Sequence, residues 1–175
     1  FAVQKYIALS FPFFVDVRSD GIDRQNAMTS GLNQVTMNFV SPVVVSDTLK
    51  NSAQVVDLLK STDQSWLRTN PSIQPNIDPN FDPNTTAIID NAYPVEGEQK
   101  SHVLAVAVTG SFSSYFAGKP SPLSVPDPNQ QTPPPTNEVV PATIETSPAT
   151  SRLIVVGSGE FLDDTVFNMS NALVQ

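Results

Sequence analysis

The 175-residue chain is long enough for one domain with a buried core, and it carries a net charge of -8. Its nine Lys and Arg residues are scattered singly, which excludes the basic cluster that nucleic acid requires and argues against docking on an anionic membrane face. The absence of cysteine excludes disulfides, thiolate nucleophiles and Cys-based metal sites.

The first half of the chain alternates short apolar runs with turn residues. Alternating apolar residues predict a strand over 13–18, and the stretch that follows could hold a short helix over 25–30, closed by Gly31. Val35, Met37 and Phe39 alternate in a second strand, with either a bulge or a break before 43–45, and residues 47–49 read as a turn. Residues 52–62 fit either a brief amphipathic helix or a strand, and 66–68 resemble a short strand.

The second half contains two apolar runs separated by proline-rich sequence. Residues 103–108 are apolar at every position, which is typical of a central strand covered on both faces. Residues 153–156 predict a second buried strand, followed by a glycine turn, three acidic residues and a helix through 166–173. Proline-rich loops are expected at about 70–94 and 119–148. The sequence therefore predicts a single α/β domain over 1–175, with an open, mostly parallel sheet flanked by helices.

The turn after the second apolar run is the best candidate for a site, because open parallel sheets bind ligands at the carboxyl ends of their strands. Glu160, Asp163 and Asp164 could hold a hard cation, but the dipole of the following helix accounts for the same acidic residues. No further ligands converge in the sequence, so we expect no metal and no cofactor. His102, the only histidine, stands at the start of a strand without a nucleophile motif, and we expect no catalytic triad.

Several phrases in the chain resemble one protein family when they are taken in order. They are Thr29-Ser30-Gly31-Leu32, residues 58–62 with Ser65-Trp66, residues 102–116 with Ala117-Gly118-Lys119-Pro120, and residues 151–164. In order and spacing they resemble the extracytoplasmic domain of the auxiliary component of gliding-motility-type ABC transport systems. One departure is Ser158, where that family often has Asp, and this weakens a metal role further.

The resemblance implies a fold related to glutamine-amidotransferase-like and flavodoxin-like sheets, also shared with a domain of intraflagellar-transport proteins. It implies no catalytic residues, and a parent protein anchored in the inner membrane with this domain on the periplasmic side. The partners it implies are the membrane and ATPase subunits of the transporter, reached through the full-length protein. Both ends of the chain stop inside apolar runs, as expected for a piece of something longer that does not itself enter the membrane.

Three functions remain open from the sequence. The first is a non-catalytic interaction domain, whose contact residues we expect among the side chains near the strand ends: Ser158, Glu160, Asp163, Asp164, Tyr115 and Phe116. The second is a carbohydrate-active or other hydrolytic enzyme that pairs Glu160 with Asp163 or Asp164, and it requires a carboxyl with a raised pKa. The third is a domain that binds a small ligand such as a glycan at the sheet edge.

Overall fold

The computed structural model describes residues 9–77, 92–119 and 144–164. Its elements are β1 (Phe14–Val17), β2 (Val35–Asn38), α1 (Asp47–Ser52), β3 (Gln54–Lys60), β4 (Val103–Thr109) and β5 (Arg152–Val156). The chain forms two compact units. The first contains residues 1–44, 56–106 and 154–175, and the second contains residues 45–55 and 107–153.

Strands β1 and β2 confirm the first two predicted strands. They pair antiparallel, with Phe14 opposite Asn38 and Val17 opposite Val35. Val17 and Met37 are buried, because residues at every second position of a strand point to the same face. This hairpin contributes one wall of the first unit's core.

The segment between β1 and β2 is a series of turns, so the predicted helix over 25–30 is wrong. The Asp23 Oδ1 atom accepts a hydrogen bond from the Gln25 amide (2.9 Å), and the Asn26 Oδ1 atom accepts one from the Met28 amide (3.1 Å). Such local bonds to Asp and Asn side chains offer the backbone an alternative to a helical ladder. Buried Thr29 closes the segment by donating its hydroxyl to the Asp23 carbonyl (2.6 Å).

A short helix stands where the sequence predicted only a turn. Ser46 caps α1, since its hydroxyl accepts a hydrogen bond from the Leu49 amide (3.3 Å), and Asp47 lies in the first turn. Both features stabilise a helix N-terminus. The neighbouring residues 43–45 do not form the expected strand, and neither do residues 66–68.

Residues 54–60 form strand β3, which settles the choice between helix and strand for this segment. Leu58 and Leu59 are both buried although they are adjacent in sequence. Consecutive buried residues on a strand mean that both of its faces are covered at this end.

The second sheet has the order β3-β4-β5 and is antiparallel, so the predicted open, mostly parallel α/β sheet is wrong. In the first unit, the Ser61 amide donates to the His102 carbonyl (2.9 Å) and the Gly157 amide donates to the Leu104 carbonyl (2.9 Å). The end of β3 and the end of β5 therefore lie beside the beginning of β4. In the second unit, the Gly110 amide donates to the Ser151 carbonyl (3.0 Å). The end of β4 therefore lies beside the beginning of β5.

The predicted flanking helices are also not found in the part of the chain that the structure describes, where α1 is the only helical element. The sequence wrongly predicted a parallel sheet because an apolar run indicates that a strand is covered on both faces. It does not indicate whether the neighbouring strands are parallel or antiparallel. A parallel neighbour needs a crossover that returns the chain to the same end of the sheet. Here β5 begins beside the end of β4, so no crossover is needed.

The two apolar runs differ in burial. Strand β4 is central and covered, as predicted, with Val106 only 1 % exposed. Strand β5 lies beside it at the edge of the sheet, and Val155 is 38 % exposed. The prediction that β5 is buried is therefore wrong for the described residues. The predicted helix through 166–173 and most of both proline-rich loops (78–91 and 120–143) lie outside the described residues.

Candidate functional site

The turn after β5 is held against the segment that follows β2. The Ser41 amide donates to the Gly157 carbonyl (2.8 Å), and a Cβ atom at position 157 would overlap the Ser41 carbonyl. Glycine is therefore required here for close backbone approach.

Ser158 is buried, whereas the sequence suggested an exposed contact residue. Its hydroxyl donates to the Asn38 carbonyl (2.6 Å) and accepts from the Glu160 amide (3.2 Å). Both bonds stay within the first unit, and the bond to Asn38 ties the turn to β2. A hydroxyl with these partners stabilises the fold and presents little surface to another molecule.

The three acidic residues of the turn are exposed. The Asp163 amide donates to the Glu160 carbonyl (2.9 Å), so Glu160 and Asp163 belong to one tight turn, and Asp164 follows. Among residues 9–77, 92–119 and 144–164, no three His, Asp or Glu side chains converge as a metal-ligand set.

Tyr115 and Phe116 lie in the second unit, whereas the other predicted contact residues lie in the first. Their rings meet edge to face with centroids 5.2 Å apart, and the Lys119 ammonium lies 3.6 Å from the centre of the Tyr115 ring. The structure thus gathers the predicted contact residues into two groups, an acidic turn and an aromatic pair with a cation.

His102 pairs with Ser61 through its backbone. Its amide donates to the Ser61 hydroxyl (2.9 Å), and its carbonyl accepts from the Ser61 amide. The Nε2 atom is enclosed and has no hydrogen-bond partner. Ser61 uses its hydroxyl on backbone groups, including the Thr62 carbonyl (3.3 Å).

An apolar groove of about 570 Å³ in the first unit was not predicted from the sequence. Its floor includes the buried side chains of Leu59 and Ala105, and its rim includes exposed Met28 and Leu162. The full apolar lining is Met28, Leu32, Val35, Leu58, Leu59, Ala105, Ile154, Val156, Phe161 and Leu162. The available signal was the presence of large apolar residues in the turn segments, at Met28, Leu32, Phe161 and Leu162.

Comparison with known proteins places this sequence in a family. Neither the curated proteins nor the solved structures gave a match. A family model described as ABC-type uncharacterized transport system matches residues 3–174, nearly the whole chain. Among the residues that the structure describes, no helix has the length and hydrophobicity of a membrane span. The chain therefore belongs to the family of auxiliary components of ABC-type transport systems.

Proposed function

We propose that this chain is a non-catalytic, extracytoplasmic interaction domain of an auxiliary component, of the gliding-motility type, in an ABC transport system. Membership of the transport family supports the association with a transporter. The exposed groove supports a binding role, since its lining is apolar apart from Thr29, Gln34 and Thr36.

The groove carries the proposal because its rim leaves large apolar side chains in contact with water. Leu162 is 63 % exposed, and Met28, Leu32 and Ile154 are exposed around the same groove. Apolar surface is favourable to bury, at about 25 cal/mol per Å², and contiguous exposed apolar patches mark interaction sites. Methionine adds adaptability, because its unbranched side chain can fit different partner shapes.

The partner that fits is an apolar segment on the extracytoplasmic side of the transporter's membrane subunit. The ATPase subunits would then be reached through the rest of the full-length protein. Apolar anchors in a groove commonly carry most of the binding energy of such interfaces.

The test is co-purification of the transporter subunits with the full-length protein carrying Met28→Glu together with Leu162→Glu. Two charges in the groove would have to be desolvated on binding, so we expect the apparent affinity to fall by at least about tenfold. Val44→Glu is the matched control, because Val44 is 88 % exposed in the same unit but does not line the groove.

Unchanged recovery of the subunits with the double variant would contradict the proposal. So would an equal loss with Val44→Glu, since that loss could not come from the groove. Melting temperatures of the variants, measured on the isolated chain, separate loss of binding from loss of folding.

A further inference from the structure

A second cavity of the first unit, of about 480 Å³, lies between β1, the segment after β2 and the segment after β3. It falls within the range of roughly 300–1,000 Å³ that is common for small-molecule sites. Its lining includes Phe13, Asp16, Phe39, Trp66 and Arg68. Aromatic rings and two opposite charges therefore surround the same space.

The aromatic rings of the cavity lining pack against one another and against Tyr93. The Phe13 and Phe39 rings lie 6.0 Å apart and are inclined by 32°, and the Tyr93 ring packs edge to face on Phe13 at 5.5 Å. Phe39 has a φ of 48°, a left-handed conformation that costs a bulky residue on the order of 1–2 kcal/mol. Its amide nevertheless donates to the Phe13 carbonyl (2.8 Å), so the surrounding structure keeps this ring at the cavity.

Arg68 is largely buried and incompletely paired. Its guanidinium lies 5.7 Å from the centre of the Phe13 ring and 5.9 Å from that of Tyr93, and only 17 % of the side chain is exposed. The Nε atom lies 3.4 Å from the Glu96 Oε1 atom, which balances the charge without a well-aligned hydrogen bond. The Nη1 atom has no partner, and an unsatisfied buried donor costs about 1–3 kcal/mol.

Asp16 is a hydrogen-bond acceptor of the cavity lining that, like Arg68, is incompletely paired. Its Oδ2 atom accepts a hydrogen bond from the Arg18 Nε atom at 2.8 Å, so the charge of the carboxylate is balanced. Its Oδ1 atom is enclosed and has no hydrogen-bond partner. Two residues of the cavity lining therefore carry unused hydrogen-bonding atoms, which are the Nε and Nη1 donors of Arg68 and the Oδ1 acceptor of Asp16. The charge of each side chain already has a counter-charge.

We infer that this cavity binds an uncharged sugar of one or two rings. Sugar hydroxyls both donate and accept hydrogen bonds, so one molecule can satisfy Arg68 and Asp16 without bringing a charge. The C–H face of a sugar packs on aromatic rings, which Phe13, Phe39 and Trp66 supply. An anion would meet Glu96 beside Arg68 and a chain with a net charge of -8.

Sugar binding requires side chains of the cavity lining to rotate, because the unpaired atoms of Arg68 and Asp16 are enclosed. A ligand hydroxyl reaches the Arg68 Nη1 atom or the Asp16 Oδ1 atom only after a side-chain rotation, because both atoms are shielded from water. That rotation gives each group the hydrogen bond that it lacks, which supplies a difference in free energy between the two conformations. This inference is independent of the apolar groove, and either can fail alone.

The test uses Trp66, because it is the only tryptophan of the chain and it lines the cavity. The probes are D-glucose, N-acetyl-D-glucosamine and their β-1,4-linked disaccharides, with L-glutamate and inorganic phosphate as charged comparisons. We expect a saturable change in tryptophan emission with at least one sugar, confirmed by calorimetry, and none with the charged probes. No response to any sugar, or a response only to glutamate or phosphate, would overturn the assignment.

Two variants tie the response to the cavity. Arg68→Lys keeps the charge beside Glu96 but loses the planar donors, and we expect about tenfold weaker sugar binding. Arg152→Lys is the matched control, since Arg152 is exposed and does not line the cavity. Thr62→Phe fills the cavity from an exposed position, so it tests the site even if the Arg68 variant fails to fold. Wild-type sugar affinity in folded Arg68→Lys or Thr62→Phe would refute the inference.

Discussion

The two glycines of the turn after β5 differ in what surrounds them. Gly157 lies against the Ser41 carbonyl and the Val40 side chain, whereas nothing lies within 4 Å of a Cβ atom at Gly159. Neither glycine has a positive φ, so space alone distinguishes the two positions. The local sequence Gly157-Ser158-Gly159 does not indicate that the fold requires glycine at position 157 and not at 159.

Gly157→Ala should destabilise the chain by about 1–3 kcal/mol, because the new methyl group overlaps backbone that cannot rotate away. Gly159→Ala should stay within about 0.5 kcal/mol or stabilise slightly, since alanine reduces the entropy of the unfolded chain. Urea unfolding midpoints of the two variants provide the comparison. Equal midpoints would show that the turn does not pack on Ser41.

Glu98 and Lys100 form an exposed ion pair just before β4. The Lys100 ammonium donates a hydrogen bond to the Glu98 Oε2 atom (2.6 Å). This hydrogen bond is the larger cause, and the positive charge of Lys100 the next, of a Glu98 pKa below its ordinary value. A lowered pKa in the folded state contributes stability at neutral pH that disappears as the pH falls through that pKa. Because the pair is exposed, the contribution is small.

Lys100→Met should therefore raise the pKa of Glu98 toward its ordinary value. Carboxyl carbon shifts followed by NMR through an acid titration measure this directly. Lys50→Met is the control, since Lys50 pairs with Asp47 instead. An unchanged Glu98 titration in the Lys100 variant would mean that the pair does not persist in solution.

The strands illustrate what apolar patterning can and cannot reveal about an element. Period-two alternation located β1 and β2, and the continuous apolar run located β4. The run in β5 looked the same in sequence, yet its residues are exposed because the strand lies at the sheet edge. Whether a neighbour covers a strand depends on distant parts of the chain, and these leave no mark on the strand's own residues.

A pair of valines distinguishes the two strands. Val106→Ala in β4 should cost about 1–3 kcal/mol, since it removes buried methyl groups and leaves a cavity. Val155→Ala in β5 should cost less than about 1 kcal/mol, because the side chain keeps much of its contact with water. Chemical denaturation of both variants tests the difference. Similar losses of stability would show that β5 is covered in solution.

For the molecule as a whole, the absence of cysteine makes the proposed location directly testable. Val44→Cys introduces a single thiol into this chain at a position that is 88 % exposed. In the full-length protein, an extracytoplasmic domain should react with a membrane-impermeant maleimide in intact cells. The same protein without the substitution controls for cysteines elsewhere. Labelling that occurs only after lysis would place the domain in the cytoplasm and contradict the proposal.

The order of motifs from Thr29 to Asp164 was enough to identify the family, since a family resemblance depends on residue order and not on strand direction. Local patterning was also enough for β1, β2 and β4, where neighbouring residues dictate the periodicity. The direction and exposure of β5 and the role of Gly157 were decided by long-range packing. The same holds for the cavity that joins Phe13, Phe39 and Arg68, because these residues meet only after folding. Their contacts span tens of residues, so no local pattern in the sequence encodes them.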